Sequence, residues 1–147
     1  TDVVTQAGPW RSVAAGSDFG CGIRTDGRLQ CWGNPSPAAL RTLTTETYHQ
    51  VAAGTGGVCA LRNDSTVACW PEAGSTSLAI APQGRFLQIA IGSYYACGVT
   101  MDGRLSCWGS EYNGRTNAPA GTGFVSVSTG TYHACALRDT GEAVCWG

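Results

Sequence analysis

The chain has 147 residues, only 13% of them charged, and its nine basic and ten acidic side chains leave a formal net charge of −1. That balance excludes the electrostatic footprint a nucleic-acid backbone demands and the polybasic patch drawn to anionic lipid. No apolar run approaches the ~18 residues of a membrane span, so membrane insertion is not expected.

In chain order, the first expected element is a strand at Ser12–Ala15, introduced by Trp10 and ended by Gly16. The loop Ser17-Asp18-Phe19-Gly20 leads into a second strand from Cys21, and a turn at Thr25-Asp26-Gly27 reverses the chain. A third strand returns to Cys31-Trp32-Gly33 before a linker over Asn34–Thr47. The same order then restarts at Tyr48. It runs through Gln50–Ala53, Gly54, the loop Thr55-Gly56-Gly57-Val58, the strand Cys59-Ala60-Leu61-Arg62 and the turn Asn63-Asp64-Ser65. This unit ends on Cys69-Trp70 with Pro71 in place of glycine, and Leu78-Ala79-Ile80-Ala81 in its linker suits a fourth, outer strand. The third unit has Phe86, Gln88–Ile91, Gly92, Ser93-Tyr94-Tyr95-Ala96, Cys97, the turn Met101-Asp102-Gly103, Arg104-Leu105-Ser106-Cys107-Trp108, Gly109 and the linker Ser110–Gly123. The fourth has Phe124, Ser126–Thr129, Gly130, Thr131-Tyr132-His133-Ala134, Cys135, Asp139-Thr140-Gly141 and Cys145-Trp146-Gly147.

Laid over one another, these segments repeat every 38 residues without a slip. A fixed period in this range marks a repeat architecture, and short strands between regular turns mark an all-β fold. The segment between paired cysteines reads as a β-hairpin. A three-residue hairpin loop wants a left-handed residue at its third position, which Gly27, Gly103 and Gly141 supply without a Cβ clash. Centring the loop there sets the two cysteines opposite each other, about 4.5–5.5 Å apart, within reach of a disulfide. The expected bridges are Cys21–Cys31, Cys59–Cys69, Cys97–Cys107 and Cys135–Cys145. Zinc ligands come in closer pairs, typically two to four residues apart, so no metal and no cofactor is assigned.

A chain of this length buries roughly two-thirds of its unfolded surface, so the bridges are not needed merely to hold a core. Each closes a short loop and is expected to constrain the unfolded chain by ~2–3 kcal/mol. Such bridges persist in secreted, periplasmic or cell-surface proteins, and an extracellular or cell-surface location is expected. The chain begins at Thr1, as expected where a leader has been removed. Residues 1–147 divide as one repeat domain with units of about 10–47, 48–85, 86–123 and 124–147, the last completed by 1–9. The Asp2-Val3-Val4-Thr5 stretch is expected to supply the strand the last unit lacks, which is how a circular propeller hides its edges.

The phrases Val13-Ala14-Ala15-Gly16-Ser17, Asp26-Gly27-Arg28-Leu29 and Cys31-Trp32-Gly33 resemble the regulator-of-chromosome-condensation type of β-propeller repeat, as does the linker start Gly109-Ser110-Glu111-Tyr112-Asn113-Gly114. The resemblance covers all four units. Its paired cysteines look more like the extracellular branches, including crinkly-type ectodomains of plant receptor kinases and secreted bacterial β-lactamase inhibitors. It implies a propeller of disulfide-stapled blades but no single function, since fold alone does not settle function. The family usually has about seven blades. Four units leave three arrangements open: a small complete ring, half of a two-chain ring with self-association, or part of a longer chain.

The recurring tryptophans and opening aromatics are expected to pack between blades. The loop between the repeated glycine and the first cysteine changes from unit to unit on a constant scaffold. Its Asp18, Phe19, Tyr94, Tyr95, Tyr132 and His133 are the candidate binding residues, because loop aromatics make good anchors for protein or sugar. The resemblance to the secreted inhibitors implies the same face. Tyr112 to Arg115 is the next place to look. Catalysis is not expected. His49 and His133 occupy different positions in their units, Asp26, Asp64 and Asp102 suit hairpin turns, and no loop holds enough carboxylates for calcium. The expected function is a secreted, non-catalytic module that binds an extracellular protein partner. A lectin-like glycan-binding propeller and a structural subunit of an extracellular assembly are the alternatives.

Overall fold

The computed structural model describes residues 5–33, 37–73 and 75–147. Among them twelve strands form four antiparallel sheets of three. The first sheet comprises β1 (Trp10–Ala15), β2 (Phe19–Arg24) and β3 (Leu29–Gly33); the second, β4 (Tyr48–Gly54), β5 (Gly57–Arg62) and β6 (Val67–Pro71). The third comprises β7 (Phe86–Ile91), β8 (Tyr95–Thr100) and β9 (Leu105–Gly109); the fourth, β10 (Phe124–Thr129), β11 (Ala134–Arg138) and β12 (Ala143–Trp146). The fold is the expected all-β propeller type, with one stapled hairpin in each blade. Leu78–Ala81 is a turn rather than a fourth strand. Leu78 plugs the core at 0% exposure while Ile80 stands 84% exposed, so the stretch packs by one residue and forms no ladder. Asp2, Val3 and Val4, the bulk of the expected closing strand, lie outside the described residues.

Each hairpin closes the way its turn residues dictate. The third turn residue is left-handed in all four units, at φ 89° for Gly27, 68° for Ser65, 76° for Gly103 and 88° for Gly141. Its N–H donates to the last residue of the preceding strand, as from Gly27 to the Arg24 carbonyl at 2.9 Å. Ser65 therefore adopts a conformation that glycine takes at less cost. The loop length sets the register, and the register pairs Cys21 with Cys31, Cys59 with Cys69, Cys97 with Cys107 and Cys135 with Cys145. All four disulfides form, with Cα–Cα distances of 4.0–4.1 Å.

A bulge recurs at the start of every first strand, at Arg11, His49, Leu87 and Val125. The extra residue breaks the two-residue alternation. It lets Tyr48 and Val51, three apart, share one buried face, as Phe86 and Ile89 or Phe124 and Val127 also do. His49 is the bulged residue of the second blade and is exposed.

The core is a set of joints between successive blades. Ile23 and Leu29 of the first blade meet Tyr48, Val51, Val58 and Ala60 of the second. Leu61 and Val67 meet Phe86, Ile89 and Ala96. Tyr95 and Val99 meet Phe124, Val127 and Ala136. Three of the bridges are part of this packing, with Cys21, Cys59 and Cys97 each at 0% exposure in the joint with the following blade. Main-chain bonds reinforce each joint. The turn carbonyls of Gly27, Ser65 and Gly103 accept from the N–H of Tyr48, Phe86 and Phe124 at 2.8, 2.8 and 3.0 Å. Gln50 and Gln88 clasp the next blade with both amide atoms, Gln88 donating to the Val127 carbonyl at 2.8 Å and accepting from its N–H at 2.7 Å.

Candidate binding face

The first strands of all four blades end on the repeated glycines Gly16, Gly54, Gly92 and Gly130, which with their neighbours line one shallow basin of about 300 Å³. Close approach explains these glycines. A Cβ on Gly54 would lie 2.5 Å from the Gly92 carbonyl oxygen, and one on Gly92 2.3 Å from that of Gly130. The next residues around the basin are Ser17, Thr55, Ser93 and Thr131, hydroxyl side chains in every unit.

The six candidate residues split into two groups. Asp18, Tyr94, Tyr132 and His133 are exposed. Phe19 and Tyr95 are buried at 6% and 0% and do not belong to the surface, which corrects the expectation that they share it. The reason is alternation. Phe19, Cys21 and Ile23 lie two apart on one strand, so Phe19 shares the cysteine's buried face. Tyr95 takes the equivalent place and spans the third joint. Its hydroxyl lies 2.6 Å from the His133 carbonyl oxygen and 3.1 Å from that of Gly130. Desolvation holds its phenol above the usual range.

Tyr94 sits at φ 60°, left-handed without being glycine. Tyr132 stacks on Tyr112 with ring centroids 5.8 Å apart, and both are more than half exposed. Beneath them Arg115 is 4% exposed. Its guanidinium lies 5.0 Å from the Tyr95 ring and donates through Nε to the Ser110 carbonyl at 2.7 Å. The linker thus brings Tyr112 beside the loop aromatics, a neighbour that loop comparison alone does not reveal.

A family model for the regulator of chromosome condensation (RCC1) repeat matches residues 10–36, 86–115 and 124–147, more than half of the chain. The chain belongs to the RCC1 repeat family. No curated protein matches its sequence at a significant level. Among solved structures it is similar to the CRINKLY WD40 ectodomain of the Arabidopsis thaliana receptor kinase ACR4, with 31% identity, a TM-score of 0.79 and 94% of this chain covered against 50% of that one. It is similar also to the ectodomain of the Physcomitrella patens receptor kinase CR4, at 27% identity and a TM-score of 0.77, with 94% and 40% covered. Saccharomyces cerevisiae Prp20p shares the fold at 16% identity and a TM-score of 0.74, with 92% and 44% covered. The chain therefore spans about half, or less, of the length of these proteins.

The RCC1 match skips the second unit, which nonetheless folds like the others. There two departures cancel. In the other units the glycine after the tryptophan carries a positive φ, as at Gly33, Gly109 and Gly147, and abuts the backbone of Phe19, Tyr95 and His133. In the second unit Pro71 cannot take that conformation, and the glycine stands across the ladder at Gly57, φ 138°, where a Cβ would meet the Trp70 carbonyl oxygen at 2.3 Å. Gly57, at the place of Phe19, Tyr95 and His133, thus stands opposite the residue that replaces the glycine after tryptophan.

Proposed function

We propose that this chain is an extracellular, non-catalytic binding module that takes a protein partner on the loop face of its blades. The observation that carries the reading is the exposure of Tyr94 and Tyr132 beside a basin built by all four units, on a scaffold that is otherwise repeated. Tyrosine is enriched at interface hot spots because it offers apolar area and a hydroxyl at low entropic cost. Asp18 supplies a carboxylate and His133 an imidazole on the same face. Four disulfides suit an oxidising compartment, and the likeness to receptor-kinase ectodomains supports an extracellular setting. Among the described residues no three His, Cys, Asp or Glu side chains gather to hold a metal, and no helix is long and apolar enough to cross a membrane.

The loops differ between blades, which favours one composite protein surface over a repeated sugar subsite. The test is affinity capture of partners from extracellular fluid with the immobilised chain, alongside a glycan array. A protein retained by the native chain and lost with Tyr94→Ala plus Tyr132→Ala supports the reading. Glycan binding lost in the same variant moves it to a lectin, and retention by the variant removes the loop face altogether.

A further inference from the structure

Two departures from the repeat fall in one hairpin turn. The turn triplets read Thr25-Asp26-Gly27, Met101-Asp102-Gly103 and Asp139-Thr140-Gly141 in three units, but Asn63-Asp64-Ser65 in the second. Ser65 keeps the left-handed conformation of the glycines it replaces, at φ 68°, and bears the Cβ strain that they escape. Its Cβ also enters a crowded place. At the equivalent Gly27 and Gly103 a Cβ would come within 3.0 and 3.1 Å of the next blade. The turn itself has no use for the serine side chain. Ser65 works through its main chain, donating to the Arg62 carbonyl and accepting from the Phe86 N–H, both at 2.8 Å, as the glycines of other units do. The side-chain bonds belong to its neighbours. Asn63 donates from Nδ2 to Thr47 Oγ1 at 2.8 Å, and Asp64 Oδ1 accepts from the Thr66 N–H and hydroxyl at 3.0 and 2.7 Å. The Ser65 hydroxyl takes part in none of these.

What Asn63 and Ser65 supply together is an acceptor for an N-linked glycan, asparagine followed two residues later by serine with a residue other than proline between. The sequence has four asparagines, and no other meets the pattern. Pro35 blocks Asn34-Pro35-Ser36, and Arg115 and Pro119 stand two residues after Asn113 and Asn117. We infer that Asn63 is an N-glycosylation site, and that the second unit carries serine in place of glycine for this reason. The inference rests on the extracellular reading, because the sugar donor, an oligosaccharide on a polyprenyl diphosphate, is met on the secretory route. In the transfer the Asn63 amide nitrogen bonds to the anomeric carbon. The bond from that carbon to the diphosphate oxygen breaks, the lipid diphosphate leaves with the electron pair, and one amide proton is lost. One N–H remains on the asparagine.

The place in the fold suits a bulky, hydrated group. Asn63 and Asp64 are exposed. β5 runs from Gly57, at the loop face, to Arg62, so Asn63 follows at the opposite end of the blade, about 20 Å away. A glycan there covers the turn end and leaves Tyr94 and Tyr132 free, which confines a protein partner to the loop face.

The test is to secrete the 147-residue chain from eukaryotic cells behind a cleavable leader and to map its peptides before and after peptide-N-glycosidase. A glycan should be found at Asn63. It should be absent from Asn63→Gln and from Ser65→Gly, a variant that restores the turn residue of the other units and therefore folds. Ser65→Thr should keep it. A secreted, fully oxidised chain whose Asn63 is bare overturns this inference alone, as does a Ser65→Gly chain that still carries the glycan. A chain that cannot oxidise its cysteines in the secretory compartment overturns the extracellular reading, and this inference with it.

Discussion

At the scale of single residues, the molecule places unusual chemistry at Tyr94 and Tyr48. Tyr94 holds a left-handed backbone at φ 60°, a conformation that costs roughly 1 kcal/mol or more for a residue with a Cβ. It packs against Gly56 of the neighbouring loop but remains 39% exposed. Tyr94→Gly removes that strain along with the packing, so thermal stability should change by less than ~1 kcal/mol while partner capture falls sharply. A large loss of stability would mean that the ring is core. Tyr48 is a buried phenol donating to the Glu46 carboxylate at 3.0 Å. Desolvation first, then that hydrogen bond, push its pKa from 10.0 up to about 12. The folded state thus holds this proton more tightly than the unfolded chain. The stability it contributes is complete below pH 10 and is lost as pH rises through about 12. All nine basic residues are arginine, so no lysine titrates in that window. Melting temperature should fall across it, and Tyr48→Phe should flatten the fall. An unchanged slope in the variant would assign the loss elsewhere, with Tyr95 the next phenol to test.

At the scale of elements, three of the recurring tryptophans pack edge-on or tilted against the opening aromatic of their own blade: Trp32 against Trp10, Trp70 against Tyr48, and Trp108 against Phe86 at 5.9 Å. The expectation of packing between blades holds as well, since Trp108 lies in the core shared with the second blade. Trp32 meets no preceding blade among the described residues. Trp108→Ala should therefore cost ~3–5 kcal/mol through its cavity, and Trp32→Ala in the single chain only on the order of 1–2 kcal/mol, both read from denaturant melts. Equal losses would argue that the tryptophans serve only their own sheet. The hairpins, their turns and all four bridges were legible in the sequence because spacing alone determines them. The burial of Phe19 and Tyr95 was legible too, by counting back two residues from the cysteine. A strand that begins at the cysteine leaves those two positions in the loop and hides their burial. The Gly57–Pro71 exchange was not legible, because it requires knowing that these residues face each other across the ladder. Nor was the turn at Leu78–Ala81, where an apolar run fits a strand as readily as a plug until the neighbouring blades are in place.

At the scale of the whole molecule, stability is distributed as in other repeat proteins, as blade terms plus joint terms between neighbours. Among the described residues the second and third blades have a joint on each side, and the first and fourth have one each. The fourth blade is the less protected end. Leu137 and Ala143 are exposed, Cys145 is exposed, and a Cβ on Gly141 would meet nothing within 4 Å. Local opening is expected where buried apolar contacts are few and backbone hydrogen bonds face solvent. Native-state hydrogen exchange should show β5 and β8, the central strands of the inner blades, as the slowest segments and β12 as the fastest of the strands. Mild reduction followed by alkylation should open Cys135–Cys145 before the three bridges buried in joints, since access governs thiol attack. Protection that is uniform along the chain would mean that the four blades unfold as one cooperative unit, and that the joints, rather than the blades, set the stability of the fold.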